Sequence, residues 1–532
     1  MKKRSRLLAL ILSVAMAAGL LTACGGGDTS SGGDTAAATS DSGSADAGAV
    51  KDTLVVLSSE AFSGGWDPAG HTVLANVHLQ EAVYSYLVKL NYDTYEYEPG
   101  LATSWEYADD GYSLILHLRE GVTFHDGSTF DADDVKATIE WMSRPDSARG
   151  ADWGEQYLVE VIDPMTCRVY PSSEEPRAPL LNLLTYYESP IMSADDIEGG
   201  KLADGLNGTG PYKMVKYENE TCYLEAFEDF YDTENAAKIP NIEYRYVPES
   251  QTRLAALQSG EADLIERVET EQIPLIEQNE DLEYLSSPVF EQKYLVFKCT
   301  QAPMDNPTLR KAIAYAIDVD TIVDNIMEGC AVKADSWLAH VAPNYSSFEE
   351  FPTYNPDKAK ELLAEAGYPD GEGLPTLKYI TSTGFYPKTK EYAEYIVSNL
   401  KDIGINVDLE VQESGAWSES LYAEDSCHMI DTGWMIGNED NEEIAACFNA
   451  PHGLMDFSTD ETVFAAIAKE TATTDPEERK QVIHDELWPA LNNSMSTYPL
   501  FDSEMIWAYS KNLKGFKAYP TSNIEFHELS FE

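Results

Sequence analysis

The sequence predicts an α/β fold of more than one lobe, and three observations carry that expectation. At 532 residues the chain is too long for one ordinary core, so two or three lobes are expected. Hydrophobic residues at 43 % and aromatics at 11 % are the proportions of a packed globular protein, not of a disordered chain. Strand and helix signals alternate from Thr53 onward, which is the pattern of strands covered by helices.

Taken in order, Leu54-Val55-Val56-Leu57 reads as a short buried strand. Asp110-Gly111 and Asp126-Gly127 read as turns between strands. Asp131 to Asp134 supply a cap and first-turn acids for a helix bearing Val135, Ile139 and Met142. Asn306-Pro307 caps and starts a helix on which Leu309, Ala312, Ile313, Ala316 and Ile317 recur at helical spacing. Asn355-Pro356 repeats the device, with Ala359, Leu362, Leu363 and Ala366 on one face and Gly367 as the stop. A strand near Leu377 to Ile380 precedes a helix carrying Tyr392, Ile396, Leu400 and Ile403, ended by Gly404. Ile405, Val407, Leu409 and Val411 then alternate with polar residues as a half-buried strand. That strand–helix–strand order implies a right-handed parallel crossover. No fixed-period repeat interrupts it.

The N-terminus stands apart. Lys2, Lys3, Arg4 and Arg6 form a basic region, and Leu7 to Leu21 an apolar one too short to span a bilayer comfortably. The run Leu21-Thr22-Ala23-Cys24-Gly25 resembles a bacterial lipobox, which implies cleavage before Cys24 and lipidation of its thiol. Two acyl chains make such attachment durable. Residues 24–52 are dominated by Gly, Ser, Asp, Ala and Thr and read as a flexible leash. With 92 acids against 36 bases the net charge is −56, which argues against a nucleic-acid partner. Cys167, Cys222, Cys299, Cys330, Cys427 and Cys447 have no CxxC spacing, so zinc and redox motifs are unsupported. An even number outside the cytoplasm permits disulfides without assigning them.

The stretch from Leu101 through Asp126-Gly127 to Val135 closely resembles the signature of the peptide/nickel group of extracellular solute-binding proteins that serve ABC importers. Gly208-Thr209-Gly210-Pro211-Tyr212, Thr252 to Asp263, Leu309 to Asp318, Asn355 to Tyr368 and Ile403 to Val407 follow in that group's order. The resemblance implies two large lobes joined by hinge strands plus an inserted third lobe. Lobe I would comprise 53–80, 204–285 and 499–532, the inserted lobe 81–203, and lobe II 286–498. Hinge strands are expected near Pro288 to Phe297 and Tyr498 to Ile506. It implies a monomeric, lipid-anchored protein on the outer face of the cytoplasmic membrane, capturing an oligopeptide for an ABC permease without catalysis or cofactor.

In such a cleft, aromatic side chains and a few polar anchors hold the ligand. Phe62 and Trp66 are the aromatic candidates from lobe I, and Tyr386, Trp417 and Trp434 from lobe II. Dipeptide binders of the group hold the ligand amine with an Asp shortly after a Gly-Trp pair, and the carboxylate with an Arg. Here Gly437 stands at the Asp position and the loop Thr381 to Pro387 has no Arg, which a Lys does not replace cheaply. Glu439 or Asp440 could meet an amine, and Lys388 a carboxylate, from shifted positions. Sugars and nickel chelates are the within-group alternatives, although none of the nine histidines pairs at metal-site spacing. A secreted hydrolase is the remote one; GxSxG and HExxH are absent, and His484-Asp485-Glu486 lacks the second His. A receptor that signals through a membrane partner instead of feeding transport is not separable from the sequence.

Substituting Cys24→Ala is expected to move the protein from the membrane pellet to the soluble fraction and to abolish the mass increment of a diacylglyceryl group on the mature N-terminus.

Overall fold

The run Leu54-Val55-Val56-Leu57 is apolar at every position because its strand, β1 (Thr53–Ser58), is covered on both faces and flanked in parallel on both sides. The computed structural model describes residues 51–62, 65–71, 73–91, 94, 96–175, 180–185, 189–342, 345–383, 386–435 and 458–532. Helices and strands mix throughout, as the sequence implies.

Two small sheets belong to the region after the first helix, Leu74–Val83. Strands β2 (Val88–Leu90) and β3 (Tyr97–Pro99) form a hairpin. Strands β4 (Ala102–Tyr107), β5 (Leu114–Leu118), β6 (Tyr157–Asp163) and β7 (Thr166–Pro171) form an antiparallel sheet in the order β4-β5-β7-β6. The turn between β4 and β5 holds Gly111 at φ 78°, the left-handed geometry that favours glycine. The helix Ala132–Met142 starts with a capping box in which Asp131 accepts from the helix and Asp134 accepts from the Asp131 amide.

The main sheet contains β8 (Tyr212–Glu218), β9 (Thr221–Ala226), β10 (Asn241–Tyr246), β11 (Leu264–Ile265), β12 (Leu282–Phe297), β13 (Ala331–Lys333), β14 (Leu377–Thr383), β15 (Val407–Glu413), β16 (Met429–Met435) and β17 (Thr497–Ser510), with β1 among them. Its order is β15-β14-β16-β12-β17-β11-β1-β10-β9-β8, with β13 on β17. A last short pair, β18 (Leu513–Lys514) and β19 (Ser530–Phe531), closes the chain. β14 and β15 are parallel across the helix Thr389–Asp402, the crossover the sequence predicts. The alternation expected on β15 is looser than its sequence: Val407 and Leu409 are half-buried but Val411 is exposed, because β15 is the sheet edge.

β12 and β17 are the longest strands and lie side by side in the interior of this sheet, joining its two halves. From Leu282 to Pro288, β12 pairs with Ser510 to Glu504, beside β11; from Gln292 to Val296 it pairs with Asp502 to Thr497 and with β16 on its other side. The register breaks between Pro288 and Gln292. The cores on either side of the break are separate. One, around Trp337, Tyr392, Ile396 and Trp488, includes β14 and β16, whereas another runs from β1 and β10 into the four-stranded sheet. The five described cysteines among the six are free thiols; burial pushes those of Cys167 and Cys222 up to about 12 and that of Cys299 to about 11.

Gly404, at φ 91° after the helix Thr389–Asp402, lies so close to the turn at Asp370–Gly371 that an added Cβ would overlap the Asp370 carbonyl oxygen. Gly404→Ala is therefore expected to lower stability by at least about 1–3 kcal/mol, from backbone strain together with the overlap on the Asp370 carbonyl. The urea denaturation midpoint measures it, and an unchanged midpoint would contradict the packing described.

Candidate ligand-binding cleft

The C-terminal ends of the parallel strands β1 and β11 point to one place, the position where open α/β sheets receive ligands. β1 delivers Ser58 and, just beyond it, Glu60; β11 delivers Glu266 and Arg267. Glu266 Oε1 accepts from Ser58 Oγ at 2.7 Å and from the Ser59 amide at 2.9 Å. Arg267 donates through Nη2 to Glu60 Oε1 at 2.8 Å and holds a left-handed backbone, φ 48°. Such strained non-glycine residues persist where their surroundings over-determine them, often at functional sites.

The other side is built by the crossing strands. Glu291 lies within the register break of β12 and Lys293 just past it, opposite Met435 and Gly433 of β16. Their ion pair spans 2.7 Å, and both side chains are under one-tenth exposed. Lys293 Nζ stands 3.0 Å from the centroid of the Tyr386 ring, a cation–π contact, and Tyr386 donates its hydroxyl to the Gly433 carbonyl at 2.7 Å. A Cβ at 433 would overlap Lys293 Nζ and crowd the Tyr386 ring, so a larger residue there would displace the lysine. At the rim, Lys388 beside Tyr386 forms an ion pair with Glu271, 117 residues earlier, so the segments following β14 and β11 meet.

Burial pushes the Glu60 carboxyl up, and the charges of Glu266 and Glu291 add to this while Arg267 opposes it. Burial acts upward on Glu291 too, but Lys293 and Arg267 outweigh it and leave that carboxyl below its ordinary value. Burial brings Lys293 down to about 8 against the attraction of Glu291. Deeper in, Asp431 is pushed up to about 6 by burial, against a hydrogen bond from the Tyr392 hydroxyl.

The aromatic candidates fall into two groups. Phe62 and Trp66 are half-buried and cluster with Tyr217, whose ring is 5.4 Å from Phe62 and 5.2 Å from Trp66; Phe62 also reaches Tyr244 at 5.9 Å. Trp66 and Tyr217 line an open cavity of about 320 Å³ with Leu206, Met214 and Lys216. Tyr386 sits over Lys293, and Trp434, opposite Gln292, is half-buried against the core around Trp337. Trp417 is 5 % exposed, donates its indole N–H to the Asp431 carbonyl at 3.1 Å and meets Tyr386 edge-on at 5.9 Å. It is therefore a core residue that backs Tyr386. Glu439 and Asp440 lie outside the described residues. Glu60, Glu266, Arg267, Glu291 and Lys293 were not singled out from sequence, although Glu291-Gln292-Lys293 inside the apolar run Val289 to Phe297 was a visible signal.

A sheet crossed by two long strands, with separate cores on either side and charged and aromatic groups gathered at the crossing, defines a two-lobed binding protein. The model of the bacterial extracellular solute-binding proteins, family 5 Middle, matches residues 96–453, and the chain belongs to this family. It is thereby a solute-binding protein of the kind that serves ABC importers. The glutathione-binding protein GsiB of Salmonella paratyphi A is 28 % identical over 500 residues, covering 91 % of this chain and 95 % of that protein. DppA from Helicobacter pylori, an ABC transporter-associated periplasmic binding protein solved with the peptide STSA, superposes with a TM-score of 0.77 at 25 % identity, over 91 % of this chain and 98 % of that one. A dipeptide-binding protein from Pseudoalteromonas sp. SM9913, solved with Met-Leu, gives a TM-score of 0.79 at 20 % identity, over 90 % and 100 %.

Removing the cation from the buried Glu291–Lys293 pair should be costly: Lys293→Met is expected to destabilise by about 3–5 kcal/mol, because a buried carboxylate loses its partner. The double variant E291Q/K293M should recover most of that loss in guanidinium denaturation. Equal midpoints for the single and double variants would contradict the pairing.

Proposed function

We propose that this protein captures oligopeptides between its two lobes and delivers them to an ABC permease, tethered to the outer face of the cytoplasmic membrane through lipid on Cys24. The observation that supports this reading best is the crossing of β12 and β17, where Glu291 and Lys293 on one side meet Glu60 and Arg267 on the other and Lys388 pairs with Glu271. Relatives of the family with a similar fold hold Met-Leu and STSA, and GsiB is named for glutathione, so peptides of two to four residues are the first ligands to try. The mechanism is capture without catalysis: the solute displaces cleft water, its differential affinity favours the closed arrangement, and that form docks on the permease.

The lobes assigned to this cycle are 53–80 with 204–285 and 499–532, then 286–498, with 81–203 as the insertion. Phe62, Trp66, Tyr386 and Trp434 are proposed as ligand contacts and Trp417 as support for Tyr386. Glu439 and Asp440 are proposed as contacts for a ligand amine. A sugar or nickel chelate is the second reading. Among the described residues, no group of His, Cys, Asp and Glu is placed to hold a metal ion.

A thermal-shift series on the purified protein with pooled di- to tetrapeptides tests the ligand class. A ligand at 100 times its dissociation constant adds about 2.7 kcal/mol of stability, a visible rise in Tm. A rise with peptides is expected; silence with peptides and a rise with sugars or nickel–histidine would contradict the peptide assignment.

A further inference from the structure

The ion pair at the rim joins segments that belong to different cores. Glu271 lies in the short helical turn Thr270–Gln272, between Val268 and Ile276, which are buried with residues of β1 and β11. Lys388 immediately precedes the helix Thr389–Asp402, whose Tyr392, Ala393 and Ile396 are buried in the core around Trp337. The two cores lie on opposite sides of the register break between Pro288 and Gln292. Any rotation of one body against the other about that break must stretch or close this contact.

The lysine is held for this contact. It takes a left-handed backbone, φ 57°, at the start of its helix, and its side chain is 24 % exposed. Its Nζ donates to Glu271 Oε1, and that hydrogen bond is the leading cause that holds the Glu271 carboxyl below its ordinary value and lifts the lysine above its own. Two further acids face the same ammonium. Glu391 comes from the first turn of the lysine's own helix, and Glu328 stands two residues before Cys330, which packs against the core of β1 and β11. Without the ammonium, three carboxylates lose the cation they share. In a chain of 92 acids and 36 bases, like charge opposes bringing two lobes together, and a cation at the seam offsets that opposition locally.

We propose that the Lys388–Glu271 ion pair is a latch between the two lobes, made as they close and broken as they open, which biases the ligand-free protein toward its closed arrangement. The inference rests on closure of the lobes and not on the class of solute captured. The Glu271 side chain is 52 % exposed, so water and salt reach the pair and its effect is modest. An exposed pair of this kind changes the open-to-closed ratio by about two- to fivefold. That scale tunes the population without locking the cleft, which a carrier that must release its solute requires. Because opening breaks the pair, the latch slows release of a bound solute more than it affects encounter.

The test is small-angle X-ray scattering of the purified protein, dialysed free of solute and extrapolated to infinite dilution. It is run at about 10 mM and about 1 M salt, where the screening length is about 30 Å and about 3 Å. Lys388→Met keeps an apolar stem and removes the ammonium, and Glu271→Gln removes the charge from the other lobe. Each variant is expected to have a larger radius of gyration than the wild-type protein at low salt, and the difference should vanish at high salt. Adding Lys388→Met to the Glu271→Gln protein should change nothing more, and Lys388→Arg should keep the wild-type radius. Equal radii for the wild-type protein and both single variants at low salt would overturn the latch. A difference that persists at about 1 M salt would overturn it as well, because packing rather than charge would then account for it. No solute is present in this measurement, so its failure and the failure of the peptide reading are distinguishable.

Discussion

Everything in this protein depends on how two strands pass from one lobe to the other. β12 and β17 pair along most of their length, yet the ladder breaks between Pro288 and Gln292, and proline there removes a donor that an unbroken ladder needs. Gln292 donates to Asp502 at 2.8 Å on one side of the break, and Asp502 also receives the His340 amide at 2.8 Å, so the second lobe grips the crossing firmly. The break itself is left with few ladder bonds. A joint of that kind lets two well-packed bodies change their angle without disturbing either core.

The crossing also explains why charge collects there. A strand passing between two bodies leaves both hydrophobic interiors for a few residues, and here Glu291 is coupled to Arg267 of the first lobe while Lys293 turns to Tyr386 of its own. Glu291 and Lys293 occupy this interval, flanked by Val289 and Phe290 before it and by Tyr294 to Phe297 after it, all buried and apolar. Burying ions is costly unless they are paired and hydrogen-bonded, and the network of Glu60, Arg267, Glu291 and Lys293 meets that demand only in part.

Much of the fold was legible because its signals are local. The cap at Asn306, which accepts from the Thr308 amide at 3.0 Å, and the capping box at Asp131 are written in consecutive residues. The parallel crossover from β14 to β15 follows from spacing and handedness alone. The site was less legible because it assembles over distance. Glu60 and Arg267 are 207 residues apart, and each alone reads as a solvated surface charge. Trp417 has the composition of a cleft aromatic but finds its hydrogen bond at the Asp431 carbonyl, inside the core. The reverse holds for Lys388, whose charge is directed to Glu271 across the rim.

Hydrogen exchange with and without a bound peptide measures the central claim directly, because it reports both where the solute sits and whether two bodies close on it. Protection should appear together in segments 264–272, 288–293, 381–388 and 429–435, which come from both sides of the crossing. Protection confined to one side, or to the cavity lined by Trp66 and Tyr217, would contradict capture at the crossing of β12 and β17.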